Sequence, residues 1–504
     1  MSLRDHPKAY GTAAVATSFV AGVLLTLGFK DLYPDLERQY QQGRKSNSRT
    51  ATATATASSS KAVRRRPSSF FWGSEPVELE DRESRPPSPA TSEQQPNRAL
   101  GIADGIPGCI GNTPLVKLQS LCEATGRTIL AKAEFLNGAG NSPKDRVALH
   151  MIEAAEARGL LVPHRGDTIY EGTVGSTGIS LAALARARGY RCHICMPDDQ
   201  AREKSDLLHH LGATVERVPV APITSPDHFV NLARRRAAEH TASAMDDSRG
   251  FFADQFESPF NHEAHYLTTG PEIWAQTGGR VDAFVAGAGT GGTISGVARY
   301  LKERAAKELE LKPGRKSKRS NKNNGRYDDY GDSDDDGGGN DDLPRIILAD
   351  PQGSGLYNKV RHGVMYSSTE REGTRRRQQV DSVVEGVGIN RVTANFEAGR
   401  DLVDDAVRVT DAQACAMARW LAERDGVFAG SSTAVNCAAA VAAALRLPPG
   451  SVVVTVVCDS GARPLSKFWR QIAERGLEDE EHGKPGDLLK LLGLNEDGTA
   501  VKRG

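Results

Sequence analysis

Lys144 stands in the run Asn141-Ser-Pro-Lys-Asp-Arg146, and well downstream lies the loop Gly287-Ala-Gly-Thr-Gly-Gly-Thr293. A primary amine can condense with an aldehyde, and a glycine loop can wrap a phosphate. Together they are the least equipment that pyridoxal 5'-phosphate needs. A lone lysine at a helix start is ordinarily solvated. Lys144 differs because the glycine-rich stretch Asn137-Gly-Ala-Gly-Asn-Ser-Pro143 precedes it and sets it at the mouth of a helix. There the helix dipole and Arg146 favour an unprotonated amine.

The distal loop follows the apolar run Val281-Asp-Ala-Phe-Val-Ala286 and leads into a helical pattern through Val297 and Leu301. Backbone amides freed by glycine, threonine hydroxyls and a helix N-terminus converge there on one phosphate. Gly287, Gly289 and Gly292 also satisfy the dinucleotide fingerprint Gly-x-Gly-x-x-Gly. That fingerprint wants a second strand and an acidic residue about 20 positions further on, whereas this helix runs into a charged stretch. The loop therefore favours a phosphate cup over a dinucleotide site. A third loop, Glu171-Gly-Thr-Val-Gly-Ser-Thr-Gly178, again joins a strand to a helix, and its outward amides suit a carboxylate such as that of an amino acid.

The elements that must position these loops alternate between strand-like and helix-like segments from about residue 99 onward, the rhythm of an α/β fold with parallel strands. Residues 129–133 and 168–170 have strand character, and 146–158 and 178–188 have the pattern of amphipathic helices. Residues 281–285 and 452–457 are apolar, β-branched runs suited to a sheet covered on both faces. Residues 312–342 interrupt the pattern: basic Arg315-Lys-Ser-Lys-Arg-Ser320 precedes Asp334-Asp-Asp-Gly-Gly-Gly339. Segregated charge and glycine bury too little apolar area to offset ordering entropy, so a disordered surface insertion is expected.

Lys and Arg number 64, as do Asp and Glu, so no global field attracts nucleic acid. Small or locally recognised substrates are favoured. Seven scattered cysteines in a long chain argue for a reducing compartment and against a disulfide framework. The pair in Cys192-His-Ile-Cys195 could be half a zinc site or a redox dithiol. It lies in a strand-like run, however, where an odd offset sends the thiols to opposite faces, so buried thiols and no metal site are expected.

Residues 9–29 carry no charge, are flanked by Lys8 and Lys30, and are long enough to cross a bilayer as a helix. The stretch is too long for an ordinary signal-peptide core and too evenly apolar for an amphipathic presequence, which points to an uncleaved single-pass anchor. Residues 1–8 form the tip before it. Residues 30–98, with their Thr-Ala repeats, Arg64-Arg-Arg66 and Pro/Ser-rich stretches, have the composition of a disordered tether. Basic clusters on this side of the span put the large domain in the cytosol.

In order, Gly111-Asn-Thr-Pro-Leu115, Lys132-Ala-Glu-Phe-Leu-Asn137, Ser142-Pro-Lys-Asp-Arg146, Gly178-Ile-Ser-Leu-Ala182, Asp254-Gln-Phe256, Thr268-Thr-Gly-Pro-Glu-Ile273, Gly289-Thr-Gly-Gly-Thr293 and Glu385-Gly-Val-Gly388 resemble the cysteine synthase and cystathionine β-synthase family of pyridoxal-phosphate enzymes. The resemblance covers about residues 107–468 apart from the insertion. It implies fold type II, the tryptophan synthase β-like α/β architecture of two domains with mostly parallel sheets, here preceded by one N-terminal transmembrane helix. It also implies a homodimer. The catalytic region is expected over 99–470, with a smaller mobile domain at about 145–250, and a C-terminal tail over 471–504. The regulatory repeats and haem-binding extension of cystathionine β-synthases are not recognised.

Residue by residue, the resemblance makes Lys144 the Schiff-base lysine and the base for the α-proton, and gives Gly289, Thr290, Gly291, Gly292 and Thr293 to the cofactor phosphate. Ser460, in Cys458-Asp-Ser-Gly-Ala-Arg463, matches the hydroxyl at the pyridine nitrogen, with Asp459 as rival. A neutral partner there favours loss of a β-substituent over transamination. Thr173, Val174 and Thr177 face the amino-acid substrate, Ser176 the cofactor oxygen, and Gln255 the substrate carboxylate or the phenolic oxygen. Where cysteine synthases usually have Thr-Ser-Gly-Asn-Thr-Gly, this chain has Thr173-Val-Gly-Ser-Thr-Gly178. Val174 removes a hydroxyl and Ser176 an amide, a change of about 1–3 kcal/mol per hydrogen bond.

The expected activity is cysteine synthesis, O-acetyl-L-serine and sulfide giving L-cysteine and acetate by β-elimination and β-replacement through an aminoacrylate. The altered loop makes a cysteine desulfhydrase or serine dehydratase the nearest alternative. A non-catalytic membrane scaffold derived from the family is a third, which has no need to keep Lys144. Similarity to the anchored fungal members of the family implies the mitochondrial outer membrane.

Overall fold

The computed structural model describes residues 102–200, 202–311, 343–365, 382–462, 468–474 and 487–501, all within the unit Gln95–Gly504. The expected anchor at 9–29, the tether and the insertion at 312–342 lie outside the described residues. Among the described residues, no helix is long and apolar enough to cross a membrane.

Ten strands run in chain order: β1 (Leu115–Lys117), β2 (Thr128–Ala133), β3 (Thr168–Gly172), β4 (Arg191–Pro197), β5 (Thr214–Val218), β6 (Gly250–Phe252), β7 (Ala283–Gly287), β8 (Arg345–Pro351), β9 (Asp405–Val409) and β10 (Val452–Val457). They form a six-stranded sheet in the order β1-β2-β10-β7-β8-β9 and a four-stranded sheet in the order β5-β4-β3-β6. Every pairing is parallel except β1 with β2. The β-branched run at 452–457 is a strand along its whole length. The run expected at 281–285 begins two residues later and continues to Gly287, with Asp282 already bonded through its main chain to the neighbouring strand ends Val452 and Arg345.

The helices that matter for the site are α1 (Lys144–Ala157), α2 (Ser176–Ala187), α3 (Arg202–His210), α4 (Phe229–Ser243), α5 (Gly292–Leu311), α6 (Asp411–Arg424), α7 (Ser431–Leu445) and α8 (Asp487–Leu492). Every residue of α7 is buried. Its alanines, valines and one cysteine let the helix lie close against β7–β10, and α6 covers its other side. Leu488 and Leu492 of α8 are buried in the same core, and Gln413 Nε2 donates to the Leu492 carbonyl at 2.7 Å.

The four-stranded sheet has its own cores on its two faces. Cys192 packs with Ile152, Ile169 and Ile194, whereas Cys195 packs with Phe229, Val230 and Ala233 of α4. The two thiols therefore lie on opposite faces, and both are pushed well above the usual thiol range by burial.

Candidate active site

A cavity of about 420 Å³ opens where the two sheets meet, lined from both by Lys144, the 173–177 loop, Gln255, the 287–293 loop, the 384–389 loop and the end of β10. Both sheets present the C-terminal ends of parallel strands to it, the usual place for a ligand in an open α/β sheet.

Lys144 is the first residue of α1 and follows Pro143 at the N-cap. The turn before it is fixed by Asp145, whose carboxylate accepts from the Gly140 amide at 2.7 Å and the Ser180 hydroxyl at 2.5 Å. Asn141 takes the left-handed conformation there, with φ 51°, which asparagine adopts more readily than most residues. Burial holds the Lys144 amine below its usual pKa, opposed by the charges of Cys458, Asp459 and Glu134. Arg146 is not the cause. Its guanidinium is forked between Glu134 (2.7 and 2.8 Å) and Glu272 (2.6 and 2.8 Å), so its charge is neutralised beneath the site. Lys132 completes this buried set at 2.6 Å from Glu272.

The 287–293 loop joins β7 to α5. Gly291 has φ 86°, and a Cβ there would lie 2.6 Å from the Phe396 backbone. A Cβ on Gly289 would meet the Gly386 carbonyl at 2.5 Å. Glycine is thus required twice in a loop that ends at a helix N-terminus. Thr290 Oγ1 accepts from Asn261 Nδ2 at 2.9 Å, which leaves its proton to donate to a phosphate oxygen. Thr293 shares a hydrogen bond of 3.1 Å with His265 Nε2, and burial followed by the Lys144 charge keeps that imidazole neutral.

On the smaller sheet, Thr173, Val174, Ser176 and Thr177 all face the cavity. Gln255 closes this side: its Oε1 accepts from Thr177 Oγ1 at 2.6 Å, and its Nε2 donates to the Gly172 carbonyl at 3.2 Å and to Glu171 at 3.3 Å. Asp254, with φ 54°, makes the turn that aims Gln255 inward. Burial and the neighbouring Asp254 raise the Glu171 carboxyl to about 8. Val174 packs against the Phe229 cluster, so an apolar side chain in place of a hydroxyl has a local reason.

At the far end, Cys458 and Asp459 line the cavity, and Ser460 lies one residue beyond. Its Oγ accepts from the Ala462 amide at 3.2 Å. Gly292 is the first residue of α5 and is buried behind the cup rather than on the cavity wall. Of the expected site residues, the structure brings Lys144, Thr173, Val174, Ser176, Thr177, Gln255, Gly289, Thr290, Gly291 and Thr293 to one cavity.

Several site groups were given no role by the sequence, although Glu171 and Glu385 open runs quoted above. Glu171 was legible only as an acidic residue at the end of an apolar strand, and Asn436 as the one amide in an alanine-rich helix. Lys204 and Glu385 come together only through the fold.

The donor set fits a phosphorylated aldehyde: a buried, weakly basic amine and a glycine-threonine cup share one cavity. The family described as "Pyridoxal-phosphate dependent enzyme" matches residues 106–459. The chain belongs to this family. Within it, the chain is 62% identical over 496 residues to "Cysteine synthase 2" of Neurospora crassa, covering 98% of this chain and 99% of the relative. It is 54% identical to the protein of the same name from Emericella nidulans, covering 94% and 96%. A Saccharomyces cerevisiae relative named "Putative mitochondrial cysteine synthase" is 49% identical over 74% of this chain and 85% of its own. Among solved structures, an O-ureido-L-serine synthase aligns with a TM-score of 0.57 and 28% identity, covering 77% of this chain and all of that one. The α/β architecture of fold type II agrees with these likenesses.

Proposed function

We propose that the protein is a cysteine synthase, converting O-acetyl-L-serine and sulfide to L-cysteine and acetate with pyridoxal 5'-phosphate. The observation that carries this is the shared cavity of the buried Lys144 amine and the 289–293 cup, supported by the 62% identity to a cysteine synthase.

When bound, the cofactor supplies an electron sink for the substrate's Cα. Lys144 holds the cofactor aldehyde at rest and afterwards moves the α-proton, for which a depressed amine pKa suits a base working near neutrality. The amides of Thr173–Thr177 orient the substrate carboxylate. Gln255 assists them, its Nε2 contacts of 3.2 and 3.3 Å being long enough to be exchanged for a charged acceptor. Ser176 takes the place at the cofactor oxygen. Ser460 is kept as the neutral partner of the ring nitrogen on the family resemblance, with Asp459, which lines the cavity, as its rival; the Ala462 amide uses a lone pair of the Ser460 Oγ and leaves the proton to donate. Val174, Ile179, Leu207 and Phe229 make much of the wall apolar, which offers few hydrogen-bond partners to hold an attacking water.

The smaller sheet, about residues 145–250, is the part we expect to close over substrate, in a homodimer. Residues 9–29 are assigned as a single-pass anchor in the mitochondrial outer membrane with the catalytic region in the cytosol; the name of the Saccharomyces relative supports the mitochondrion alone. Resistance of the full chain to alkaline extraction, abolished by deleting residues 1–30, tests the anchor. Purified protein given O-acetyl-L-serine and sulfide should form cysteine in proportion to bound cofactor. Pyruvate and ammonia in place of cysteine would move the assignment to the lyase reading, which the missing amide at Ser176 favours. No turnover despite bound cofactor would favour the scaffold.

A further inference from the structure

β7 and β10 are neighbours in the large sheet, yet their register partners run only from Val453 with Ala283 to Val454 with Phe284. On the outer side of each strand pairing continues, β10 with β2 as far as Val457 and Ala133, and β7 with β8 as far as Gly287 and Ala349. The sheet therefore splits at one seam only, at the strand ends that face the cavity. A split between parallel strands leaves main-chain donors and acceptors without their ladder partners, and buried main-chain groups must be satisfied.

Two side chains fill the seam. Thr455 Oγ1 donates to the Val285 carbonyl at 2.8 Å. One step further out, Asn436 of α7 inserts its carboxamide: Oδ1 accepts from the Gly287 amide at 2.7 Å, and Nδ2 donates to the Val456 carbonyl at 2.9 Å. The same Nδ2 lies 3.4 Å from Cys458 Sγ. A carboxamide has the donor and acceptor of a peptide unit, so it can stand in for one between two strands. Asn436 is the one amide in an otherwise small and apolar run, Ala434 to Leu445, of a wholly buried helix, and it reaches the cavity wall.

We propose that Asn436 is a positioning residue, a wedge that holds β7 and β10 apart and so sets the spacing between the phosphate cup, which begins at Gly287, and the ring end of the site at Cys458. The inference rests on the cofactor reading above. Leucine or alanine at this place leaves the Gly287 amide and Val456 carbonyl unsatisfied or lets the seam zip shut, and either change moves the cup relative to the ring end.

The test uses the full-length holoenzyme and three variants: Asn436→Ala; Asn436→Asp, which keeps the acceptor for Gly287 but turns an oxygen on Val456; and Val441→Ala, a buried position on the same helix away from the seam. Cofactor affinity, the visible absorption maximum and the ³¹P chemical shift of the bound cofactor are measured with kcat and KM. Asn436→Ala should weaken cofactor binding by about 10- to 100-fold and move both spectra. Asn436→Asp should move them in the same direction even if Asn436→Ala does not fold. Val441→Ala should lower Tm with both spectra unmoved. Unchanged spectra and affinity in both Asn436 variants, or equal shifts in Val441→Ala, would overturn the proposal. Hydrogen exchange at the Gly287 amide is read as well, with and without cofactor, and should speed up in Asn436→Ala. If the wild type binds no cofactor, the functional reading fails, and the exchange result still decides whether the wedge exists.

Discussion

Lys204 Nζ lies 3.0 Å from Glu385 Oε2, joining α3 of the smaller sheet to the loop that wraps the phosphate cup. Both residues line the cavity. The Glu385 side is anchored, since its amide donates to Ser431 Oγ at 2.9 Å and Gly386 presses on Gly289. Lys204 also donates to Gln200 Oε1 at 3.1 Å within its own segment, so the pair tethers the smaller sheet to the fixed wall.

A partly exposed ion pair contributes about 1 kcal/mol or less, a few-fold in any equilibrium it biases. Glu385→Gln and Lys204→Met should therefore raise KM for O-acetyl-L-serine about 2- to 5-fold with little change in kcat. The wild-type KM should rise between about 0.01 and 1 M salt, and the variants should lose that dependence. Steady-state kinetics across a salt series checks both.

On the proposed roles, Lys144→Ala removes both the cofactor's covalent partner and the base. Cysteine formation should fall by at least about 10²- to 10⁴-fold, with loss of the visible band. The buried Arg146 network does not depend on the Lys144 amine, so the unfolding free energy of the cofactor-free protein, measured by denaturant titration, should stay within about 1 kcal/mol of wild type.

Glu171 gives a pH signature. Its carboxyl is raised by burial from 4.5 to about 8, so between these values the folded protein keeps a proton that the unfolded chain has released. Stability then falls as pH rises through that window. Glu171→Gln removes this part of the slope, so the variant should gain stability relative to wild type on going from pH 5 to pH 8. Asp254 and Asp350, also raised by burial, leave a residual slope of the same sign. Urea unfolding at the two pH values measures the difference.

Ser176→Asn restores an amide at the N-terminus of α2, where a side chain faces the cavity. One regained hydrogen bond is worth about 1–3 kcal/mol, so kcat/KM for O-acetyl-L-serine should rise about 10-fold. The ratio of pyruvate to cysteine, measured by coupled assay, should fall. An unchanged ratio would separate the altered loop from the choice between sulfide and water.

Much of this enzyme was legible along the chain. The strand at 452–457, the helix mouth at Lys144 and the loops at 171–178 and 287–293 are local features, because apolar alternation, glycine and proline fix backbone conformation over a few residues. Both helix starts lie two residues earlier than expected, at Lys144 and Ser176, since the first turn of a helix carries no apolar periodicity. The opposite orientation of Cys192 and Cys195 follows from strand geometry alone.

What the sequence by itself determined, then, was the set of local parts: a lysine at a helix mouth, two glycine-bearing loops that join strand to helix, and their order within a recognisable family. Only the tertiary structure decided what surrounds them. Burial rather than Arg146 depresses the Lys144 amine, because Glu134 and Glu272, the second of them 126 positions away, neutralise the guanidinium. Likewise the seam filled by Asn436 and the tether from Lys204 to Glu385 depend on residues more than 100 positions apart. Desolvation and pairing are set by which surfaces the packed chain brings together, and local patterns carry no record of that.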